Sequence, residues 1–151
     1  MLVILVVNHY QLMAVIQHNG NKMNFENKNI IVIGGSSGIG RGIASSYIEK
    51  GANVCITGTR DKIYDYDEEI SGNIKKCTYK KLDLSNHDNL EKLSLPFDNI
   101  NTLVCSQGIV AYDQKEFEME TFKKVIDLNL NSVMASCTFF HQNLSKNNAS
   151  I

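Results

Sequence analysis

Seven consecutive residues, Gly34-Gly35-Ser36-Ser37-Gly38-Ile39-Gly40, carry the spacing in this chain that is best suited to chemistry. Glycines let a backbone turn sharply and approach an anion closely. A helix starting behind them offers unpaired N–H groups and the positive end of its dipole. The chemistry on offer is recognition of a pyrophosphate. The spacing is G-x-x-x-G-x-G, distinct from both the G-x-G-x-x-G fingerprint and the G-x-x-x-x-G-K-S/T phosphate loop. Arg41-Gly42 follows Gly40, so no phosphate-loop lysine is available and a kinase or NTPase reading is disfavoured. Taken alone, the loop also reads as a tight turn with no ligand.

The elements around the loop decide between these readings. Asn29 to Ile33 is a compact apolar strand that runs straight into the glycines. Gly38 to Lys50 reads as a helix, with Ile39, Ile43, Ala44, Tyr47 and Ile48 at helical spacing and Gly51 as the stop. Further strands are expected over Asn53 to Thr57, Ile74 to Leu82 and Asn101 to Cys105. Asp61 to Ser71, acidic and rich in tyrosine, is expected as a short helix or loop. Ser85 or Asn86 is placed to cap a helix reaching about Ser94, with Pro96 in the link that follows. A long helix is expected from Met119 to Ser145, its apolar stripe formed by Phe122, Val125, Ile126, Leu130, Val133 and Met134. Strands alternating with helices predict a doubly wound α/β domain, a parallel sheet with helices on both faces.

Composition limits the partners. With 151 residues, 43% hydrophobic and 21% charged, the chain suits one soluble domain. A net charge of −1 leaves no basic surplus for nucleic acid. Cys55, Cys77, Cys105 and Cys137 form no C-x-x-C pair and fall in apolar or strand-like stretches. They are expected to be buried, reduced thiols of a cytoplasmic protein, with no metal bound. The apolar run Met1 to Val7 is too short to span a bilayer and lacks the flanks of an export signal, so no membrane role is expected. A second start candidate stands at Met23. Residues 1–22 are therefore expected to be an extension outside the fold, and 23–151 the dinucleotide-binding domain.

Four motifs, in order, resemble the short-chain dehydrogenase/reductase family, and more closely its 3-oxoacyl-carrier-protein reductase-like members. Gly34, Gly38 and Gly40 match the family's T-G-x-x-x-G-x-G loop, with Ile33 in place of the threonine. Lys81-Leu82-Asp83-Leu84 is similar to the family's adenine-contacting turn, which assigns that role to Asp83 and Leu84. Leu103-Val104-Cys105-Ser106-Gln107-Gly108 falls where the family carries N-N-A-G; only Gly108 matches. Val125-Ile126-Asp127-Leu128-Asn129-Leu130 resembles the segment that bears the family's catalytic asparagine, here Asn129. The resemblance implies that Asn129 helps hold a proton-relaying water; by itself it also reads as a polar residue on a helix face.

The resemblance further implies a nicotinamide cofactor, a small carbonyl or alcohol substrate and a homo-oligomeric complete enzyme. At the end of the second strand an acidic residue would favour the 2′-hydroxyl of NAD and an arginine the 2′-phosphate of NADP. Gly58 occupies the family's acidic position and Arg60 follows. That favours NADP(H) over NAD(H), although Asp61 is placed to pair with Arg60 and leave the preference open. Ser36, Ser37 and Ile39 complete the expected cofactor-binding set. The family's catalytic serine and Tyr-x-x-x-Lys are another matter. None of the six tyrosines has lysine four residues later. The chain therefore reads as the cofactor half of an NAD(P)-dependent oxidoreductase, its sheet stopping after the fourth strand and long helix, with Asn148 to Ile151 resembling the lead-in to a fifth strand. By itself it is expected to be inactive, unstable and prone to aggregate. The alternatives are a non-catalytic dinucleotide-binding or interaction module, or a product without folded function.

Overall fold

The structure, a computed structural model, describes residues 24–66, 72–145 and 149–151. The expectations for residues 1–22 and for the end of the 61–71 segment lie outside the described residues. Four strands, β1 (Asn29–Ile33), β2 (Asn53–Gly58), β3 (Thr78–Lys81) and β4 (Thr102–Cys105), form one sheet in the order β3-β2-β1-β4. All three pairings are parallel, with Ile31 opposite both Cys55 and Leu103 at the centre. This is the expected doubly wound α/β architecture.

Successive side chains of a strand point to opposite faces, and β1 supplies both faces of the sheet. Ile31 and Ile33 enter a core with Cys55, Leu84, Leu103, Phe140 and Leu144. Ile30 and Val32 enter a second core with Ala44, Val54 and Ile56. The helix α1 (Gly38–Glu49) covers the second face through Ala44, Tyr47 and Ile48. The first face is covered by α3 (Ser132–Ser145), with Phe140 and Phe139 in a T-shaped contact at 4.9 Å.

The long helix forms over its expected span with one interruption. An α-helical segment α2 (Met119–Ile126) passes through a π turn (Asp127–Asn131) into α3. The expected apolar stripe does not face the sheet. Phe122, Ile126, Leu130 and Met134 are 52%, 37%, 57% and 65% exposed, whereas Ser132, Ser136, Phe140 and Leu144 are buried. The reason is local chemistry. The Ser132 hydroxyl donates to the Leu128 carbonyl and the Ser136 hydroxyl to the Ser132 carbonyl. Both polar side chains are thereby satisfied within their own helix, and their small size brings the backbone against the sheet.

Three other expectations are corrected. The third strand is shorter than expected, because Gly72–Lys76 is a 3-10 helix. Its Ile74 turns into the core beside Ala44 rather than pairing. The helix expected after Ser85 is only a 3-10 turn, His87–Leu90, with Asn86 Oδ1 accepting the Asp88 N–H at 3.0 Å. Leu90 is its single buried residue, too little apolar surface to hold a longer helix. Of the cysteines, Cys55 is buried and the other three half-buried. Beyond β4, Ser150 makes a parallel bridge with Thr102. Its N–H donates to the Asn101 carbonyl and its carbonyl accepts from the Leu103 N–H, both at 3.0 Å.

Phe140 is wholly buried at the contact of α3 with the sheet. Phe140→Ala is expected to cost about 3–5 kcal/mol, most of a small domain's stability. Urea unfolding followed by circular dichroism measures this; an unchanged midpoint would mean that α3 does not pack as described.

Candidate functional site

The C-terminal ends of β1, β2 and β4 open into a cavity of about 930 Å³. In parallel sheets this rim is the ligand-binding edge, at the strand where successive connections diverge to opposite sides. Here that strand is β1, flanked by β2 and β4. The cavity floor is the loop after β1 and the first turn of α1. Gly34 has φ of +74°, and a Cβ on it would lie 2.7 Å from the Gln107 backbone nitrogen. Its own N–H donates to Thr57 Oγ1 at 3.3 Å, tying the loop to β2.

The start of α1 has the electrostatics of an anion site. Ser37 is its N-cap but makes no side-chain capping hydrogen bond, and the first turn contains no acidic residue. The N–H groups and positive dipole end of the helix therefore meet the cavity without a capping side chain or carboxylate of the chain's own.

Gly34, Ser36, Ser37, Gly38, Ile39, Gly40, Asp83, Leu84 and Gly108, all read from the sequence, line this one cavity. Asp83 is tied down within its own turn. Its Oδ1 accepts the Ser85 N–H at 2.9 Å, and the hydrogen bonds from Ser85 hold the carboxyl below its ordinary pKa. The Asp83 carbonyl accepts from Asn89 Nδ2 at 2.8 Å. The turn is thus fixed from both sides, with the Leu84 side chain in the core.

Two expected site residues are not among the lining. Asn129 sits in the π turn, a distortion often found where function requires a displaced side chain. Its Oδ1 accepts the Ile109 N–H at 2.8 Å and its Nδ2 donates to the Ile109 carbonyl at 2.9 Å. The carboxamide thereby clamps the loop after β4, next to Gly108. Arg60 lies at the opposite end, its guanidinium carbon 4.7 Å from the centroid of the Tyr66 ring. Asp61 pairs with Lys81 at 2.6 Å rather than with Arg60, and that ammonium keeps the Asp61 carboxyl low.

Several lining residues carried no signal in the sequence. Gln107 Nε2 donates to Ser132 Oγ at 3.2 Å, fastening the loop after β4 to the helix beneath it. Lys124, Asp127 and Leu128 reach the cavity from the end of α2 and the π turn. Thr59 and Tyr66 close the end nearest β2. The tyrosine-rich composition of 61–71 was visible, but nothing in its pattern singled out Tyr66.

Comparison with known proteins follows the same outline. A family model described as short chain dehydrogenase matches residues 28–151. The chain is 35% identical over 118 residues to the 3-oxoacyl-acyl-carrier-protein reductase FabG of Escherichia coli (strain K12), covering 74% of this chain and 47% of that protein. It is 30% identical over 118 residues to zerumbone synthase of Zingiber zerumbet, covering 74% and 44%. The chain spans about half the length of the curated relatives it matches. A solved Pseudomonas aeruginosa RhlG/NADP active-site complex superposes with a TM-score of 0.70 at 24% identity, over 82% of this chain and 50% of that one. That likeness is one of fold.

Asn129→Ala removes both bonds to Ile109. A hydrogen bond contributes about 0.5–1.5 kcal/mol, so a stability loss of roughly 1 kcal/mol is expected for this exposed pair, with faster hydrogen exchange at the Ile109 amide. Unchanged exchange in the variant would show that other contacts hold the loop.

Proposed function

This chain belongs to the short-chain dehydrogenase family, and from that premise we propose that it forms the nicotinamide-dinucleotide site of an NAD(P)-dependent oxidoreductase. The whole protein would reduce a small carbonyl compound or oxidise the corresponding secondary alcohol. The observation that carries the reading is the uncapped, acid-free start of α1 facing a cavity of about 930 Å³. A pyrophosphate suits that helix end. Gly34, Gly38 and Gly40 would let the backbone approach it, with Ser36, Ser37 and Ile39 beside it. The turn at Asp83 and Leu84 would contact the adenine, and Gly108 would leave room for the chain of the cofactor beyond β4.

A bound nicotinamide supplies or takes up a hydride. The residues of this chain bind and orient. Asn129, by holding Ile109 on both sides, shapes the loop beside which a substrate would lie. Its part in relaying protons requires a tyrosine–lysine pair, and no tyrosine of the 151 residues has lysine four positions on. The 151 residues alone are therefore proposed to bind the cofactor without turning over substrate. The exposed stripe Phe122, Ile126, Leu130 and Met134 is the surface that a homo-oligomer of the complete enzyme would cover.

NADP(H) is favoured over NAD(H). Arg60 forms no ion pair among the described residues, while the nearby Asp61 is engaged by Lys81. Its guanidinium suits a 2′-phosphate. Calorimetric titration of the purified chain is expected to show saturable NADPH binding and weaker NADH binding. Arg60→Ala should weaken NADPH roughly 10- to 100-fold, as expected for a charge-assisted contact, and spare NADH. Equal loss of both, or no binding of either by the parent chain, would overturn the proposal.

A further inference from the structure

β2 ends at Gly58, and the space above this residue is occupied. A Cβ there would lie 2.5 Å from both Ser36 Oγ and the Tyr66 hydroxyl oxygen. The position from which an acidic side chain would reach a ribose 2′-hydroxyl is thus filled by a phenol arriving from a different segment. The Tyr66 oxygen accepts the Arg60 N–H at 2.9 Å and lies 3.2 Å from Thr59 Oγ1. Its hydrogen-bond partners also include the Ser36 and Tyr79 hydroxyls. Tyr66, Thr59, Ser36 and Gly58 all line the cavity.

Hydroxyls can both donate and accept, so the Ser36, Thr59 and Tyr66 hydroxyls that line the cavity can turn a proton toward a ligand there. Among the described residues no carboxylate joins the cluster: Asp61 is engaged by Lys81, and Asp65 Oδ2 accepts the Lys62 N–H at 2.9 Å. The Arg60 guanidinium lies over the Tyr66 ring, and the Arg60 carbonyl is held by the Tyr79 hydroxyl at 2.6 Å. Hydroxyl donors beside a guanidinium suit an anion. A 2′-hydroxyl, which is best served by a carboxylate acceptor, meets none there among the described residues.

We infer that Tyr66 is a specificity-determining residue of the cofactor site, its hydroxyl cluster with Ser36 and Thr59 donating a hydrogen bond to the 2′-phosphate of NADP(H). The inference rests on the cofactor reading above and adds to it a residue from outside the glycine loop and β2. Burial pushes the Tyr66 phenol up, but the hydrogen bonds with Ser36, Thr59, Arg60 and Tyr79 outweigh it and bring it to about 8. At pH 7 the phenol keeps its proton.

The test is titration at pH 7 of the parent chain, Tyr66→Phe, Thr59→Val and Arg60→Ala with four ligands: NADPH, NADH, 2′,5′-ADP and 5′-AMP. Tyr66→Phe keeps the ring under Arg60 and removes only the hydroxyl. It is expected to weaken NADPH and 2′,5′-ADP about tenfold, the scale of a hydrogen bond to a charged group, and to leave NADH and 5′-AMP unchanged. Thr59→Val should shift the same pair of ligands in the same direction. If Tyr66→Phe weakens all four ligands alike, or tightens NADPH by vacating the site, the role assigned to Tyr66 is wrong. Selective loss of NADPH in Arg60→Ala with none in Tyr66→Phe or Thr59→Val refutes the Tyr66 role and leaves the cofactor reading standing. A parent chain that does not distinguish NADPH from NADH refutes both.

Discussion

The cavity rim depends on how closely the chain leaving β1 passes the chain leaving β4. Gly34 lies so near the Gln107 backbone that no side chain fits between them, and Ser106 N–H donates to the Ile33 carbonyl at 2.9 Å. The first contact is steric and the second continues the ladder one step past the strands. Together they set where α1 begins and which way its N-terminus points. Every group on the cavity wall is positioned relative to that junction, from the hydroxyls at the end of β2 to the Asp83 turn.

The covering helix serves the same junction from below. Its inward face is narrow and partly polar, with Ser132 and Ser136 fully buried. Ser132 both bonds the preceding turn and receives Gln107. One hydroxyl thus connects the π turn to the loop after β4. Asn129, in the same turn, holds Ile109 two residues further along that loop. Neighbouring residues of one helical stretch thereby grip one loop at two places.

The features legible in the sequence are those whose physics is local. The glycine spacing, the apolar run of β1 and the stop at Gly51 each act within a few residues, and the structure has them where expected. The inward face of the long helix is not legible in the sequence, because apolar periodicity is a poor guide where serines satisfy themselves against their own backbone. Ile74 looked like strand and instead fills a core gap beneath α1, a choice made by tertiary packing. Tyr66 was invisible as a site residue for a related reason. Its importance comes from landing over Gly58, and nothing between residues 61 and 71 encodes that landing point.

The filled space above Gly58 also restricts how this site could change over generations. A Cβ at position 58 comes to 2.5 Å from the Ser36 and Tyr66 oxygens, so an acidic replacement there must displace both side chains as it arrives. Positions 58 and 66 are thereby coupled: a side chain at one is accommodated most easily when the other becomes smaller.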